Sequence, residues 1–298
     1  MWVRGRDMRL MMILGMTLAL AAAGASAERA EAPSCVPAGE VRKVPELVEA
    51  SGIAMSQRVP GRLWALNDSG APVLYALDST GAVAGQVELA GARVDDWEAV
   101  AVGRCGSKSC IYVGDIGDND ATRTRITIYR AEEPADASGA VRADAFHATY
   151  PDGPQDAEAL IVDREGALFI VTKGETGPVA LYKFPGTMEP GTSVRLERVG
   201  APRKAGTVSR HERITDASFS ADGEWVALRT TTALSLHRAS DLVSGNWNPA
   251  ARVGLESIGE PQGEGVAFAG RDALYLVSEG GGKARPGWFA RLECRPAR

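Results

Sequence analysis

Apolar residues in this chain come in short runs, continuous or alternating, and past residue 27 no stretch keeps a helical period. Five runs open alike, with a polar residue, a small one, then apolar positions: Ser51-Gly52-Ile53-Ala54, Glu98-Ala99-Val100-Ala101, Glu158-Ala159-Leu160-Ile161, Asp216-Ala217-Ser218-Phe219 and Glu264-Gly265-Val266-Ala267. Their spacings are 47, 60, 58 and 48 residues. A second run follows each opening ("LWALND", "IYVGDI", "LFIVTK", "WVALRT", "LYLVSE"), then a third ("VLYALD", "ITIYRA", "VALYKF", "ALSLHR", "WFARLE"). Turn signals such as "DSTG", "DREG" and "ADGE" divide them, so each unit reads as consecutive antiparallel strands.

Repeats of this length with three or four strands predict an all-β propeller of five blades. Six blades are the alternative if 131–150 or 187–213 holds another sheet. Residues 131–145 read as a surface excursion, and "VAGQVEL" (83–89) and "SVRLERV" (193–199) as outer fourth strands. The last repeat ends without a fourth strand, and "CVPAGEVRKV" (35–44) supplies one, closing the ring and removing its exposed edges. The small residue after each opening polar one fits an innermost strand, where blades crowd at the axis.

The N-terminus changes the boundaries. Arg4, Arg6 and Arg9 precede the apolar run 10–23, and Ala25-Ser26-Ala27 is a small-residue cleavage site, so residues 1–27 read as a signal peptide. That leaves 28–298 as one propeller domain, a secreted or periplasmic monomer with no membrane span after cleavage. Removing 1–27 takes away three Arg and one Asp, moving the net charge from −5 to −7. Such an acidic chain has no footprint for nucleic acid. Four cysteines in an exported chain argue for two disulfides. Cys105 and Cys110 bracket the hairpin turn "GSKS", which leaves Cys35 to join Cys294 where the chain ends meet.

The polar openings carry the candidate chemistry. Antiparallel pairing puts the start of each first strand and the end of each second strand at one face. Glu98, Glu158, Asp216 and Glu264, with Asp95, Asp96 and Asp156, therefore meet Asn67, Asp68, Asp115, Lys173, Arg229 and Glu279 at one channel mouth. Two carboxylates about 5 Å apart at an effective dielectric of about 20 repel by ~3 kcal/mol. Such a group must hold protons, pair with bases or take a cation. Asp68, Glu98, Asp115, Glu158, Asp216 and Glu264 are the candidate ligands, and Ca²⁺, a hard ion with oxygen ligands, is the expected cofactor. The "DIGDND" loop (115–120) adds oxygens, although Asp and Asn there also serve to cap their own backbone.

Other chemistry is sparse. The histidines are His147, His211 and His237, without zinc-ligand spacing, and no GxSxG elbow occurs. His147 and His237 fall on strands as structural residues, while His211 lies on the loop entering the fourth blade. Glu98, Glu158, His211, Lys173 and Arg229 are the candidate catalytic residues.

The segments "LNDSG", "DWEAVAVG", "YVGDIGDN", "YPDGPQDAEALIVD", "IVTK", "SADGEWVALRT" and "PQGEGVAF…VSEG" resemble a group of secreted bacterial β-propeller proteins without an assigned activity. The likeness runs from about Ser51 to Gly280. More distantly the chain is similar to phytase-like and esterase-like propellers, which implies calcium held by acids at the channel mouth. The phytase set of paired acids with several lysines is not evident here. Three functions are compatible with these features: a binding or scaffold propeller that takes a small-molecule or protein ligand at the acidic mouth, a metal-dependent hydrolase of phosphate esters or lactones, and a glycosidase.

Overall fold

The computed structural model describes residues 1–2, 32–186, 188–282 and 284–295. Residues 3–27 of the expected signal peptide lie outside the described residues. Every strand falls within the unit 31–298. The strands form five sheets, each the blade of a β-propeller. The innermost strands, in blade order, are Ala50–Met55, Trp97–Cys105, Ala157–Val162, Asp216–Phe219 and Gln262–Ala269. Each packs beside the next, and the fifth returns to the first.

Small residues permit this crowding. A Cβ at Gly52 would stand 2.8 Å from Val100 N, and one at Gly265 2.9 Å from Ile53 N. Side chains of these strands alternate toward the two neighbouring blades, building an apolar cluster in each of the five seams. Trp64 and Trp97 fill the first seam, between blades one and two, with no exposure. A fully buried aliphatic or aromatic side chain is worth about 1.5–3 kcal/mol, so the seams carry the stability.

The N-terminal strand Ser34–Val44 is the outer strand of the fifth blade, antiparallel to Gly287–Arg295. Cys35 faces Cys294 across that pairing, and the two are bonded over a separation of 259 residues. Cys105 is bonded to Cys110 across its hairpin.

The outer strands correct two expectations. The stretch 131–145 is no surface excursion. Gly139–Arg142 adds a fifth, parallel strand to the first blade, beside Val83–Ala90, and Asp144–Thr149 is the fourth strand of the second. "SVRLERV" is likewise shared: Ser193–Arg195 joins the second blade and Glu197–Val199 the third. Leu196 divides it, with its side chain buried in the seam between those blades and its N–H donated to the Thr149 carbonyl. These segments lap one blade over the next instead of forming a sixth.

Candidate functional site

In four blades the ladder between first and second strands breaks at one residue. The skipped positions are Ser51, Glu98, Glu158 and Glu264, each left out of a register that resumes on its two sides. A β-bulge re-aims the extra side chain. Here it turns the opening polar residue out of the alternation that would send it into a seam. The fourth blade has no such break: Asp216 pairs with Arg229 in regular register.

The bulged acids form a buried floor. Lys173, at the end of the second strand of the third blade, places Nζ 2.5 Å from Glu158 Oε1, 3.5 Å from Asp156 Oδ2 and 3.2 Å from Asn119 Oδ1. Burial opposes its charge, but Glu158 and Asp156 outweigh that and raise its pKa. Burial, with Asp156 adding to it, lifts Glu158 to about 7 against the lowering pull of Lys173. Glu98 is held well above the usual carboxylate range by burial and by Glu158. Ser51 Oγ lies 2.7 Å from Glu98 Oε2 and 2.8 Å from its carbonyl. Burial and Glu158 raise Glu264 in the same way, and Gln262 Nε2 donates to it at 2.8 Å. The floor thus joins the Lys173–Glu158 ion pair to neighbouring acids whose pKa values burial raises.

The rim is half-buried and keeps more charge. Burial, then Glu49 and Asp96, raise Asp68 to about 6. Burial, Asp68 and Glu49 raise Glu279 to about 7. Asp96 is raised by burial and by Asp156, and opposed by Arg123. Asp68 Oδ1 and Asp156 Oδ2 are buried without a hydrogen-bond partner. Gly117 keeps the space open, because a Cβ there would lie 2.4 Å from Asp96 Oδ2 and 2.7 Å from Glu98 Oε1.

Other candidates serve the scaffold. Asp115 accepts Arg123 Nη2 at 2.6 Å and the Asp95 N–H at 3.0 Å. Asp118 caps the Thr122 and Arg123 N–H groups, so the "DIGDND" loop chiefly caps itself. Asp216 accepts the Val266 N–H at 2.8 Å, stitching the fourth blade to the fifth, while its Oδ1 has no hydrogen-bond partner. Arg229 is fully buried in that same seam, donating to the Gly265 and Val277 carbonyls and to Glu260. His211 is exposed on the turn Arg210–Glu212. His237 is buried beside Ser235, and His147 lies by Thr127.

Sequence reasoning missed Glu49, Gly117 and Glu260. Ser51 is the one opening residue that is not acidic, and Glu49, two residues earlier, puts the first blade's acid at the rim. Glu260 could have been sought as the partner a buried Arg229 requires.

A calcium ion takes six to eight oxygens. Among the described residues no group of three or more Asp, Glu, His or Cys is gathered as cation ligands. Glu158 and Asp156 are turned to Lys173, Glu98 to Ser51, and Glu264 to Gln262. Of the six expected ligands, Glu98, Asp115, Glu158 and Glu264 are each engaged by a neighbouring side chain, whereas Asp68 and Asp216 each keep one oxygen without a hydrogen-bond partner.

No family model matches the chain, and no curated protein matches it. Solved structures do. The PQQ-bound aldose sugar dehydrogenase of Streptomyces coelicolor is 14% identical with a TM-score of 0.53, over 89% of this chain and 99% of that one. The major allergen Mala s 1 of Malassezia sympodialis is 12% identical with a TM-score of 0.53, over 85% and 96%. Regucalcin of Agrobacterium tumefaciens, a calcium-binding protein, is 13% identical with a TM-score of 0.44, over 88% and 96%. The likeness to the dehydrogenase and to Mala s 1 shows a shared fold, the β-propeller.

Proposed function

We propose that this chain is a binding propeller whose acidic mouth takes a small organic cation, an ammonium or guanidinium group, at the rim formed by Asp68, Asp96 and Glu279. The observation that supports this reading is the imbalance of charge. Lys173 answers the floor acids of the third blade, whereas among the described residues no cation pairs with Asp68, whose Oδ1 is buried without a hydrogen-bond partner. An ammonium satisfies carboxylates two or three at a time through directed hydrogen bonds, as Lys173 does, and needs no six-oxygen shell. Guest binding then stabilises the ionised forms of Asp68 and Glu279 and releases protons near neutral pH.

Calorimetric titration with a short aliphatic diamine, with calcium chloride and with sodium chloride tests the reading. Saturable diamine binding that Asp68→Asn weakens supports it. Saturable calcium binding without diamine binding would replace it with a metal site. Heat that follows ionic strength alone would remove it.

A second reading has its own observation. Glu158, paired with Lys173, ionises at about 7 and raises the pKa of Glu98, so the floor holds one raised acid beside another that ionises near neutral pH. Such a pair suits general acid–base hydrolysis of a neutral lactone or ester. A phosphate ester is disfavoured, because the surrounding carboxylates repel it. Lactone hydrolysis abolished by Glu158→Gln would establish this second reading.

A further inference from the structure

The five innermost strands also end together, at the face of the ring opposite the acidic mouth. They enclose a cavity of about 170 Å³. Its chemistry is the reverse of the mouth. Met55, Val102 and Phe219 line it, and each is a half-buried residue left at the edge of a different seam cluster. Three apolar side chains from three blades thus turn their uncovered surface toward one space. Ala54, Ala101 and Ala217 form its walls and leave it unfilled.

The serine hydroxyls around it, and one oxygen of Asp163, are already engaged. Ser56 Oγ donates to Glu133, and Ser218 Oγ accepts the Phe268 N–H at 3.0 Å. Ser220 Oγ donates to Asp222 at 2.5 Å and accepts the Trp225 N–H. Asp163 Oδ1 takes the Glu165 and Ala167 N–H groups. Water gains few hydrogen bonds in such a space, whereas an apolar guest covers carbon now left half-wet. An engineered cavity of about 150 Å³ lined by aliphatic and aromatic residues stays dry and accepts benzene. Phe219 is steadied edge-on by Phe169, with ring centroids 6.3 Å apart, so one wall is set before a guest arrives. Exposed Gln57 and Arg164 stand at the opening and leave a path from solvent.

We infer that this cavity is a second ligand site, for one neutral aromatic ring of benzene or toluene size, independent of the acidic mouth. Toluene is the probe, followed on the full chain by saturation-transfer NMR and by titration of its affinity. Transfer from protein methyl groups to the toluene ring is expected. Val102→Phe, which fills the space, and Phe219→Ser, which removes a wall, should each weaken binding by about tenfold or more, ~1.4 kcal/mol. Thermal melts confirm that both variants fold, and Phe219→Ser serves if Val102→Phe does not. No transfer to the wild-type chain, or affinity unchanged in a folded variant, overturns the proposal.

Discussion

Lys173 Nζ stands 2.5 Å from Glu158 Oε1 on the floor of an acidic channel mouth, and Glu158 occupies a β-bulge of the third blade. The bulge and the lysine depend on each other. Without the bulge the carboxyl would enter the apolar seam between the second and third blades, where Leu160 and Val162 point. Without the lysine a buried carboxylate would face Asp156 and Glu98 unneutralised.

Removing one partner of a buried pair strands the other, at a cost of about 3–5 kcal/mol. Lys173→Met is therefore expected to destabilise the fold by that amount in urea denaturation. Glu158→Gln relieves part of the carboxyl crowding, so the double variant should lose less than the two single losses added together. A double-mutant cycle reads the coupling directly. Strict additivity would mean that the pair is a surface contact in effect.

The raised acids set a pH dependence of definite sign. Glu158 and Glu279 stand at about 7 and Asp68 at about 6 when folded, against ordinary values of 4.5 and 3.8. A raised folded pKa means the native state binds more protons than the unfolded chain across that interval. The stability these groups contribute is full below pH about 4 and is lost as pH rises through 6 and 7. Unfolding free energy in urea is thus expected to be higher at pH 5 than at pH 8. Binding of a cationic guest should run the opposite way, tightening as Asp68 and Glu279 ionise. A stability that rose steadily from pH 5 to pH 8 would contradict both.

The blade pattern was legible because each first strand repeats a polar residue, a small residue and an apolar run, and blades meeting at an axis require that order. Ring closure followed from a last repeat one strand short and a cysteine at each end. The lapping strands were not legible: Gly139–Arg142 and Ser193–Arg195 are too short and polar to carry a period. Within the site, the openings of Glu98 and Asp216 look alike in sequence. A single bulge separates their fates, sending Glu98 to the floor and leaving Asp216 to hold the Val266 N–H. No side-chain pattern announces that bulge, because it lies in the backbone pairing of two strands.

The Cys35–Cys294 bond closes nearly the whole chain into one loop. In the chain-entropy account a long loop gains most from a cross-link, about 3–5 kcal/mol. Reduction, or Cys35→Ala with Cys294→Ala, is expected to lower the melting temperature markedly. Replacing Cys105 and Cys110, which close only a hairpin, should cost less. The reverse ranking in thermal melts would show that the N-terminal strand holds the ring without its latch.

Gly117 offers the most selective probe of the mouth, because it bears no charge and its change removes no carboxyl. A Cβ there would intrude within 2.4 Å of Asp96 Oδ2 and 2.7 Å of Glu98 Oε1, so both carboxyls must swing aside. The Gly117 N–H also donates to the Asp96 carbonyl, which ties the loop to the strand it would push. Overpacking of this kind costs about 1–3 kcal/mol. Gly117→Ala is expected to weaken diamine binding by about tenfold while toluene binding at the opposite face is unchanged. Calorimetry on the two probes separates the outcomes. Loss of both would mean that the ring itself had been disturbed, and loss of neither would place the cation site away from Asp96 and Glu98.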